Sequence, residues 1–485
     1  MIYDHPFIGW TYRKSPLVLQ NALVSVYGLL QRWEGWSPEF VRLVEELENT
    51  ERWSAGELEA LQAQRLQTLI RHAYENVPYY RRVFDERRMV PSDIRVPADL
   101  YKVPILTKQD VRRFGSQLRA RNVPRRRTWI GRTGGTTGVP LVLSLDKQRI
   151  LFDHALIHRH WSWAGYRPGD RTVFLRGFTL IPPETHQATY WRFDRIQNRI
   201  YLSGFHLSAD VLPLYVQKLQ QWKPHFIAGY PSSVFTLARF MEHEKTKIPM
   251  KAIFTSSEAL TEVERRVIEE RFACRVWDRY GTGERLAVTQ QCEYGNYHQN
   301  SEFGVFQVDL PLGEPAPTKQ KGALILTGLT NFSMPLIRYA IEDIGSVDVG
   351  NCLCGRQLPL SGPVEGRKDD MIVTIERRLM PRAGLDQIHE FVQNIERCQL
   401  VQKRIGEVIV RVQPRQAFNQ ADSAELIRQL RKRLGADTSV KLELVEKLEL
   451  TPTGKQRFIV SEVDINALTG LELEVRANKN PCEVT

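Results

Sequence analysis

Apolar positions Leu19, Leu23, Val26 and Leu30 recur at helical spacing within residues 16–30, which predicts an amphipathic helix. The stretch is shorter than the roughly 20 residues that a bilayer span requires. It carries Gln20 and Asn21 and has no recognisable signal-peptide cleavage site, so it is read as non-spanning. Its stripe is expected to dock on the protein's own body, with a membrane surface or a partner as the alternative. From 38 to 90 the pattern stays helical. Ser54 and Glu57 form a capping box, the leucines of LEALQAQRLQTLI make a stripe, and Pro78 breaks or restarts a helix inside RHAYENVPYYRRVF. These residues give a helical front end of about 1–110.

From 140 to 350, β-branched runs such as RTVFLR, HFIAGY, KAIFTSS and GALILTGL alternate with helical segments such as SSVFTLARFMEHE and LTEVERRVIEERF. That alternation predicts an α/β body with a largely parallel sheet. After Arg367 the texture changes to a smaller unit: strand EVIVRVQ at 407–413, a helix at 423–434, then strand SVKLELVEKL. Asp422 with Glu425 predicts the helix start and Gly435 its stop. Pro363 to Gly366 is the expected boundary, giving domains 1–364 and 365–485.

The 485 residues, 42% hydrophobic and 25% charged, are globular in composition and exclude wholesale disorder, collagen-like repetition and a coiled coil. The +11 charge suits anion handling; nucleic acid is permitted by it, not indicated, and none is expected as a partner. Arginines 112, 113, 119, 121, 125, 126, 127 and 132 form the densest positive run. It reads as a solvated face, or as electrostatic guidance of a polyanion towards the loop that follows. Six cysteines at uneven positions suit a reducing compartment, so the chain is expected to be cytoplasmic.

That loop runs Thr133-Gly134-Gly135-Thr136-Thr137-Gly138 between Arg132 and Val139-Pro140. Glycines let backbone N–H groups turn towards an anion, and the hydroxyls add donors, so the loop can cradle phosphates. It is neither a Walker loop nor a dinucleotide fingerprint, and alone it fits a flexible turn equally well. Cys292, His298, Cys352 and Cys354 offer the thiolate and imidazole donors that Zn²⁺ prefers. Their spacing is not that of a standard finger, and separate buried thiols remain the other reading of the pattern.

The loop resembles the phosphate-binding signature of adenylate-forming enzymes, the superfamily of acyl-CoA synthetases and related ligases. Further motifs follow in that family's order. Asp278-Arg279-Tyr280-Gly281-Thr282-Gly283-Glu284 resembles its Tyr-Gly-x-x-Glu element, and Ile337-Arg338-Tyr339 with Asp343 its ribose-binding element. Glu365-Gly366-Arg367-Lys368-Asp369-Asp370 resembles its hinge, and Thr451-Pro452-Thr453-Gly454-Lys455 its catalytic-lysine turn. HAYENVPYYRRVF, VPILTKQDV and Cys352-Leu353-Cys354-Gly355-Arg356 resemble the phenylacetate-CoA ligase branch and its CapK-type members.

The resemblance implies a large adenylate-forming α/β body with mixed and parallel sheets, plus a small α+β C-terminal lid that changes pose about Asp369. It implies ATP and Mg²⁺ as cofactors. Thr133 to Gly138 would hold the β- and γ-phosphates and Glu284 the Mg²⁺. Tyr280 would stack on adenine, Asp343 would accept from the ribose hydroxyls, and Arg367 would donate nearby. Asp278, Gly281 and Glu258 would complete the nucleotide surroundings, with the acyl pocket drawn from 176–206 and 228–235. Lys455 would stabilise the charge that builds as a carboxylate attacks the α-phosphorus. Similar Cys/His sets in the CapK-like branch favour a structural zinc.

Two departures bear on the activity. No lysine stands near Leu141, where many members carry one. The stretch 373–381, where CoA ligases usually carry a glycine lining the pantetheine tunnel, contains none, which sets CoA as acceptor against an amine or hydroxyl compound. The readings are therefore a carboxylate–CoA ligase for a small acid, a CapK-type ligase passing the acyl group to an amine or hydroxyl in polysaccharide or natural-product synthesis, and a catalytically degenerate nucleotide-binding protein.

Overall fold

The computed structural model describes residues 12, 15–35, 37–132, 141–176, 180–181, 189–208, 210–309, 319–348, 350–367, 371–375, 379–381, 385, 392, 394–451 and 456–463. The phosphate loop at 133–138, Asp369 and Lys455 lie outside these residues, as does the side chain of Arg367. The chain divides into two compact units, Met1–Val364 and a second that takes up Glu365–Thr451 and the chain from Gln456 onward.

The first unit begins with helices α1 (Leu17–Gly35), α2 (Pro38–Thr50), α3 (Ala55–Asn76), α4 (Pro78–Glu86) and α5 (Lys108–Phe114). Ser54 caps α3 and Glu57 reaches back to it, the expected capping box. Val77 ends α3, and Pro78, with no N–H to lose at the first helical position, starts α4.

In α1 the expected stripe faces the other way. Val18, Leu19, Leu23, Val26 and Leu30 are exposed, Val18 by 82%. The polar residues face the body: Asn21 Oδ1 accepts from the Phe193 N–H at 2.9 Å, Ser25 Oγ from the Arg195 N–H at 3.1 Å, and Gln20 Oε1 from Arg192 Nε at 2.7 Å. A strand edge asks its neighbour for hydrogen bonds before it asks for apolar area. Gly28 allows the approach, since a Cβ there would lie 2.1 Å from Asp194 Oδ2.

An antiparallel hairpin, β1 (Thr128–Arg132) and β2 (Val142–Asp146), leads into α6 (Lys147–Trp163). Then come β3 (Thr172–Arg176), β4 (Trp191–Asp194), β5 (Arg199–Ser203), α7 (Leu212–Trp222), β6 (Phe226–Gly229), α8 (Pro231–His243), β7 (Ala252–Ser256), α9 (Glu262–Phe272) and β8 (Arg275–Gly281). Strands β5-β3-β6-β7-β8 are parallel neighbours, as the alternation predicted. Both faces are covered, so the middles of these strands are largely apolar. Val173, Leu175, Ile227, Ile253 and Val276 pack with α7, α8 and α9, whereas Phe174, Phe226, Ala228, Phe254 and Trp277 pack with Trp161 and Tyr166.

The same sheet continues antiparallel through β9 (Val288–Gln291), β10 (Tyr297–Gln299), β11 (Gly304–Asp309), β12 (Lys319–Gly328), β13 (Tyr339–Asp348) and β14 (Leu360–Ser361). Its full path is β11-β12-β13-β14-β10-β9-β8-β7-β6-β3-β5-β4. The front end packs on β12, β13 and the chain between them through Leu66, Ile70, Tyr80 and Phe84, in one core with Leu326, Ile337 and Ile341. Tyr80 is buried, and its hydroxyl donates to Pro335 O at 3.1 Å and accepts from the Ile337 N–H at 2.9 Å. The aromatic run at 72–84 thereby fixes the chain that enters β13. Most of the arginine run is exposed, namely Arg112, Arg113, Arg121 and Arg125 to Arg127.

The second unit holds β15 (Gly366–Arg367), the hairpin β16 (Met371–Val373) with β17 (Leu379–Pro381), β18 (Ile395–Arg404), β19 (Glu407–Pro414), α10 (Gln420–Leu434), β20 (Ser439–Leu444) and β21 (Ile459–Ser461). A sheet of order β20-β19-β18-β21 buries Leu400, Val410 and Ile459 against Leu426 and Leu430 of α10. The α10 start departs from expectation by one turn. Asn419 is the cap, its Oδ1 accepting from the N–H groups of Ala421 at 2.8 Å and Asp422 at 3.3 Å, and Asp422 is the acid that answers it. Asn419→Ala should therefore cost about 1 kcal/mol in urea unfolding. Glu425→Ala should be silent by comparison; equal effects would return the cap to Asp422.

Candidate active site and cysteine cluster

Strands of the parallel block all end on one edge, and the tyrosine motif leaves it there. Tyr280 is the penultimate residue of β8, and its hydroxyl donates to Asp343 Oδ2 of β13 at 2.6 Å, joining two motifs 63 residues apart. Gly281 ends β8 against the Arg279 guanidinium, where a Cβ would come within 2.9 Å of Nη1. Glu284 is buried in the turn that follows, which closes with the Arg285 N–H on Thr282 O at 3.0 Å and puts Arg285 at φ 54°. Tyr280, Gly281, Glu284 and Asp343 are thus neighbours in the sheet and its turn. Arg338, at φ 50°, is committed to the front end: its guanidinium donates to Val103 O at 2.6 Å and its carbonyl accepts from the Leu106 N–H at 2.9 Å.

Asp278 lies two residues before Tyr280, in register with Thr255 of β7. Its two carboxylate oxygens accept from Thr255 Oγ1 at 2.7 Å and Tyr297 Oη at 2.9 Å, so both are engaged inside the sheet. Burial raises its pKa above the ordinary carboxylate value against those hydrogen bonds. Glu258 follows β7. One of its oxygens accepts from the Ser232 N–H at 3.0 Å, and the other is buried with no hydrogen-bond partner among the described residues.

A charge cluster beneath this edge escaped the sequence. Asp153 of α6 bonds both Arg279 and Arg285. Burial opposes its ionisation, but the two guanidiniums outweigh that and hold its pKa low. Arg149, one helical turn earlier and 1% exposed, donates to the Glu284 carbonyl at 3.3 Å and lies 5.1 Å from the Phe303 ring centroid. The i, i+4 pair Arg149 and Asp153 reads in sequence as a surface pair. Both share that helix with the buried Phe152, Ala155 and Leu156, but its other polar residues hide the pair in sequence.

On the other flank of β9 and β10, the side chains of Cys292, His298, Cys352 and Cys354 place their donor atoms within 4.8 Å of one another. Two turns deliver them. One joins β9 to β10 at Cys292–Asn296 with Gly295 at φ 83°, and the other is Cys352–Gly355 with Gly355 at φ 82°. The Cys292 and Cys352 sulfurs are 3.6 Å apart, and Cys354 Sγ is 3.3 Å from His298 Nε2. Tetrahedral Zn²⁺ with about 2.3 Å bonds to sulfur sets ligand sulfurs roughly 3.7 Å apart. His298 Nδ1 donates to Leu358 O at 3.1 Å, which fixes the ring and leaves Nε2 as a lone-pair donor. Burial lowers the His298 pKa and so favours the neutral, ligating form. The donor set fits the metal.

Comparison with known proteins gives concordant matches. The CapK C-terminal domain family matches residues 372–462. Protein CapK of Staphylococcus aureus is 25% identical over 473 residues, covering 94% of this chain and 100% of that protein. Phenylacetate-coenzyme A ligase of Escherichia coli is 28% identical over 379 residues, 75% of this chain and 83% of that protein. The same enzyme of Thermus thermophilus is 29% identical over 328 residues, 65% and 72% respectively. Among solved structures, 2-hydroxyisobutyryl-CoA ligase in the postadenylation state with R3-HIB-AMP matches with a TM-score of 0.66 at 22% identity, covering 87% of this chain and 93% of that one. That similarity establishes the shared fold.

Proposed function

We infer that this chain, a member of the adenylate-forming ligases in their phenylacetate-CoA ligase and CapK-like branch, activates a carboxylic acid with ATP. It forms an acyl-adenylate and pyrophosphate and then passes the acyl group on. The observation that carries the reading is the 2.6 Å Tyr280–Asp343 hydrogen bond beside the buried Glu284 at the carboxyl edge of the parallel strands, where α/β sheets receive their ligands.

In the first half-reaction a carboxylate oxygen attacks the α-phosphorus and pyrophosphate leaves, so the site's work is positioning and neutralising charge. Asp343 would accept from the ribose hydroxyls, oriented by the Tyr280 hydroxyl, whose ring would stack on adenine. Arg367 would donate nearby, and Asp278, Gly281 and Glu258 would shape the surroundings of the base. Thr133 to Gly138 would wrap the β- and γ-phosphates. Glu284 would hold Mg²⁺, a hard cation suited to carboxylate and phosphate oxygens. Lys455 would meet the charge that develops between carboxylate and α-phosphate. Asp369 would serve as the hinge between adenylating and transferring poses. Asp343→Ala should raise the KM for ATP about tenfold with a smaller change in kcat, as expected for loss of a hydrogen bond to a charged group. An unaltered KM would remove Asp343 from the nucleotide site.

The acceptor divides the reading. CoA is the first candidate, as in the names of the phenylacetate-coenzyme A ligases; an amine or hydroxyl acceptor is the second, suggested by the glycine-free stretch 373–381. The four Cys/His donors would bind zinc with no open position, a structural site holding the β9–β10 turn to the chain before β14. No described helix is long and apolar enough to cross a membrane, and cytoplasmic residence rests on the thiol pattern. Pyrophosphate release across aromatic, fatty and amino acids, with and without CoA, tests the whole. Acid-dependent release establishes adenylation, and acid-dependent CoA consumption selects the first acceptor. A folded, ATP-binding protein silent with every acid would favour the degenerate reading.

A further inference from the structure

The first helix, α1, is amphipathic with its polar side turned inward. At about 100° per residue, Gln20, Asn21, Ser25 and Gly28 fall on the side that meets β4 and the turn after it. Opposite them, within residues 17–30, an arc of about 140° holds Val18, Leu19, Leu23, Val26, Leu29 and Leu30. All six are exposed, and so is Ala22, which shares the arc. No charged residue interrupts 15–31. Single apolar side chains on a surface are ordinary, but an unbroken strip along one helix marks an interaction face.

The surroundings of the strip choose its occupant. The turn after β4 presents the exposed Arg195, whose N–H is held by Ser25 of α1, and next to it Ile196 is a further exposed apolar residue. Lys218 of α7 holds its Nζ 5.3 Å from the Phe193 ring centroid of β4. β4, its turn and α7 carry no exposed carboxylate, because Asp194 is buried and accepts from the N–H groups of Ile196 and Gln197. In sequence, Arg13-Lys14 and Arg32 bracket the uncharged run, with Trp10 and Trp33 just outside, the composition of a helix that lies in a lipid interface.

A second copy would set these cations against their own kind. It would also gain little area, since a strip about 20 Å long and 10 Å wide is narrow beside the roughly 800 Å² that each partner of a stable complex buries. A bilayer needs no matching surface. Its acyl boundary takes in the leucines and valines while anionic headgroups answer the arginine and lysine. No described helix is long and apolar enough to cross a membrane, so α1 would lie in the surface. We propose that the outward face of α1, with Arg195 beside it, docks the protein on an anionic lipid surface. This goes beyond the ligase reading and does not depend on it.

Flotation with vesicles tests the proposal on the full chain. The protein is mixed with vesicles of two parts phosphatidylcholine to one part phosphatidylglycerol, or of phosphatidylcholine alone. It should float with the anionic vesicles and several-fold less with the neutral ones. Combining Leu19→Gln, Leu23→Gln and Val26→Gln should lower the partition coefficient on the order of 100-fold, the transfer of three partly inserted side chains. Arg195→Glu should lower it about tenfold with anionic vesicles and leave the neutral ones unchanged. Matching urea midpoints establish that the variants are folded. No flotation, equal flotation with both vesicles, or undiminished flotation of the folded triple variant would each overturn the proposal. So would dimers of lipid-free protein that the triple variant loses, because the strip would then belong to a second copy. If the triple variant fails to fold, Arg195→Glu and the lipid preference of the intact protein still decide.

Discussion

Replacing Lys455 with alanine should lower acid-dependent pyrophosphate release roughly 100- to 1,000-fold, the usual cost of removing one group aimed at transition-state charge. Transfer from supplied acyl-adenylate should be largely intact, because Lys455 is expected to matter for the first half-reaction and less for the second. The described chain before and after 452–455 is fixed within the second unit. Leu448 N–H donates to Gln413 Oε1 at 3.3 Å on one side. On the other, Gln456 Nε2 donates to Cys398 O at 2.9 Å, and Leu400 N–H donates to Phe458 O at 2.7 Å. Both anchors reach β18 and β19, so the described chain on either side of 452–455 is held by bonds that do not involve residue 455. Stopped assays of pyrophosphate and of acyl transfer, run side by side, check this; equal loss of both would count against the lid assignment.

Stripping the metal should have the largest effect on the fold. Metal analysis of protein purified without chelators should find one zinc per chain, and Cys352→Ser with Cys354→Ser should abolish it. The double variant should lose more than about 4 kcal/mol of stability, a range reached by few changes other than loss of a metal or disulfide. Three thiols and an imidazole gathered within 4.8 Å would together lose the bonds that the metal makes to them. Metal-free protein that melts like the untreated sample would reduce the cluster to neighbouring thiols. Catalytic loss should track unfolding and spare protein that is still folded, since the cluster offers no open coordination position.

Legibility in the sequence followed how local the signal was. β3, β6, β7 and β12 were readable because strands buried on both faces are unbroken apolar runs, and the capping box of α3 because it spans four residues. The α10 cap slipped by one turn because Asn419 with Asp422 and Asp422 with Glu425 satisfy the same template. The facing of α1 was missed because periodicity says which residues share a face and not what the neighbouring surface needs. Tyr280, Glu284 and Asp343 were singled out through motif resemblance, not physics. Asp278 came in with its neighbours, whereas its carboxylate is engaged by Thr255 and Tyr297. The Arg279 and Arg285 partners of Asp153 lie 126 and 132 residues away, beyond any sequence window.

The reversed first helix also bears on how the molecule behaves in a crowd. β4 is the last strand of its sheet, and an uncovered last strand is a template on which another chain can add its own. Asn21 and Ser25 take the outward N–H groups of Phe193 and Arg195, so α1 stands in for the missing neighbour with side chains instead of backbone. The helix is therefore a guard against edge-to-edge aggregation. A chain shortened to begin at Ser37 would expose that rim, and its first symptom should be self-association at high concentration rather than lost catalysis.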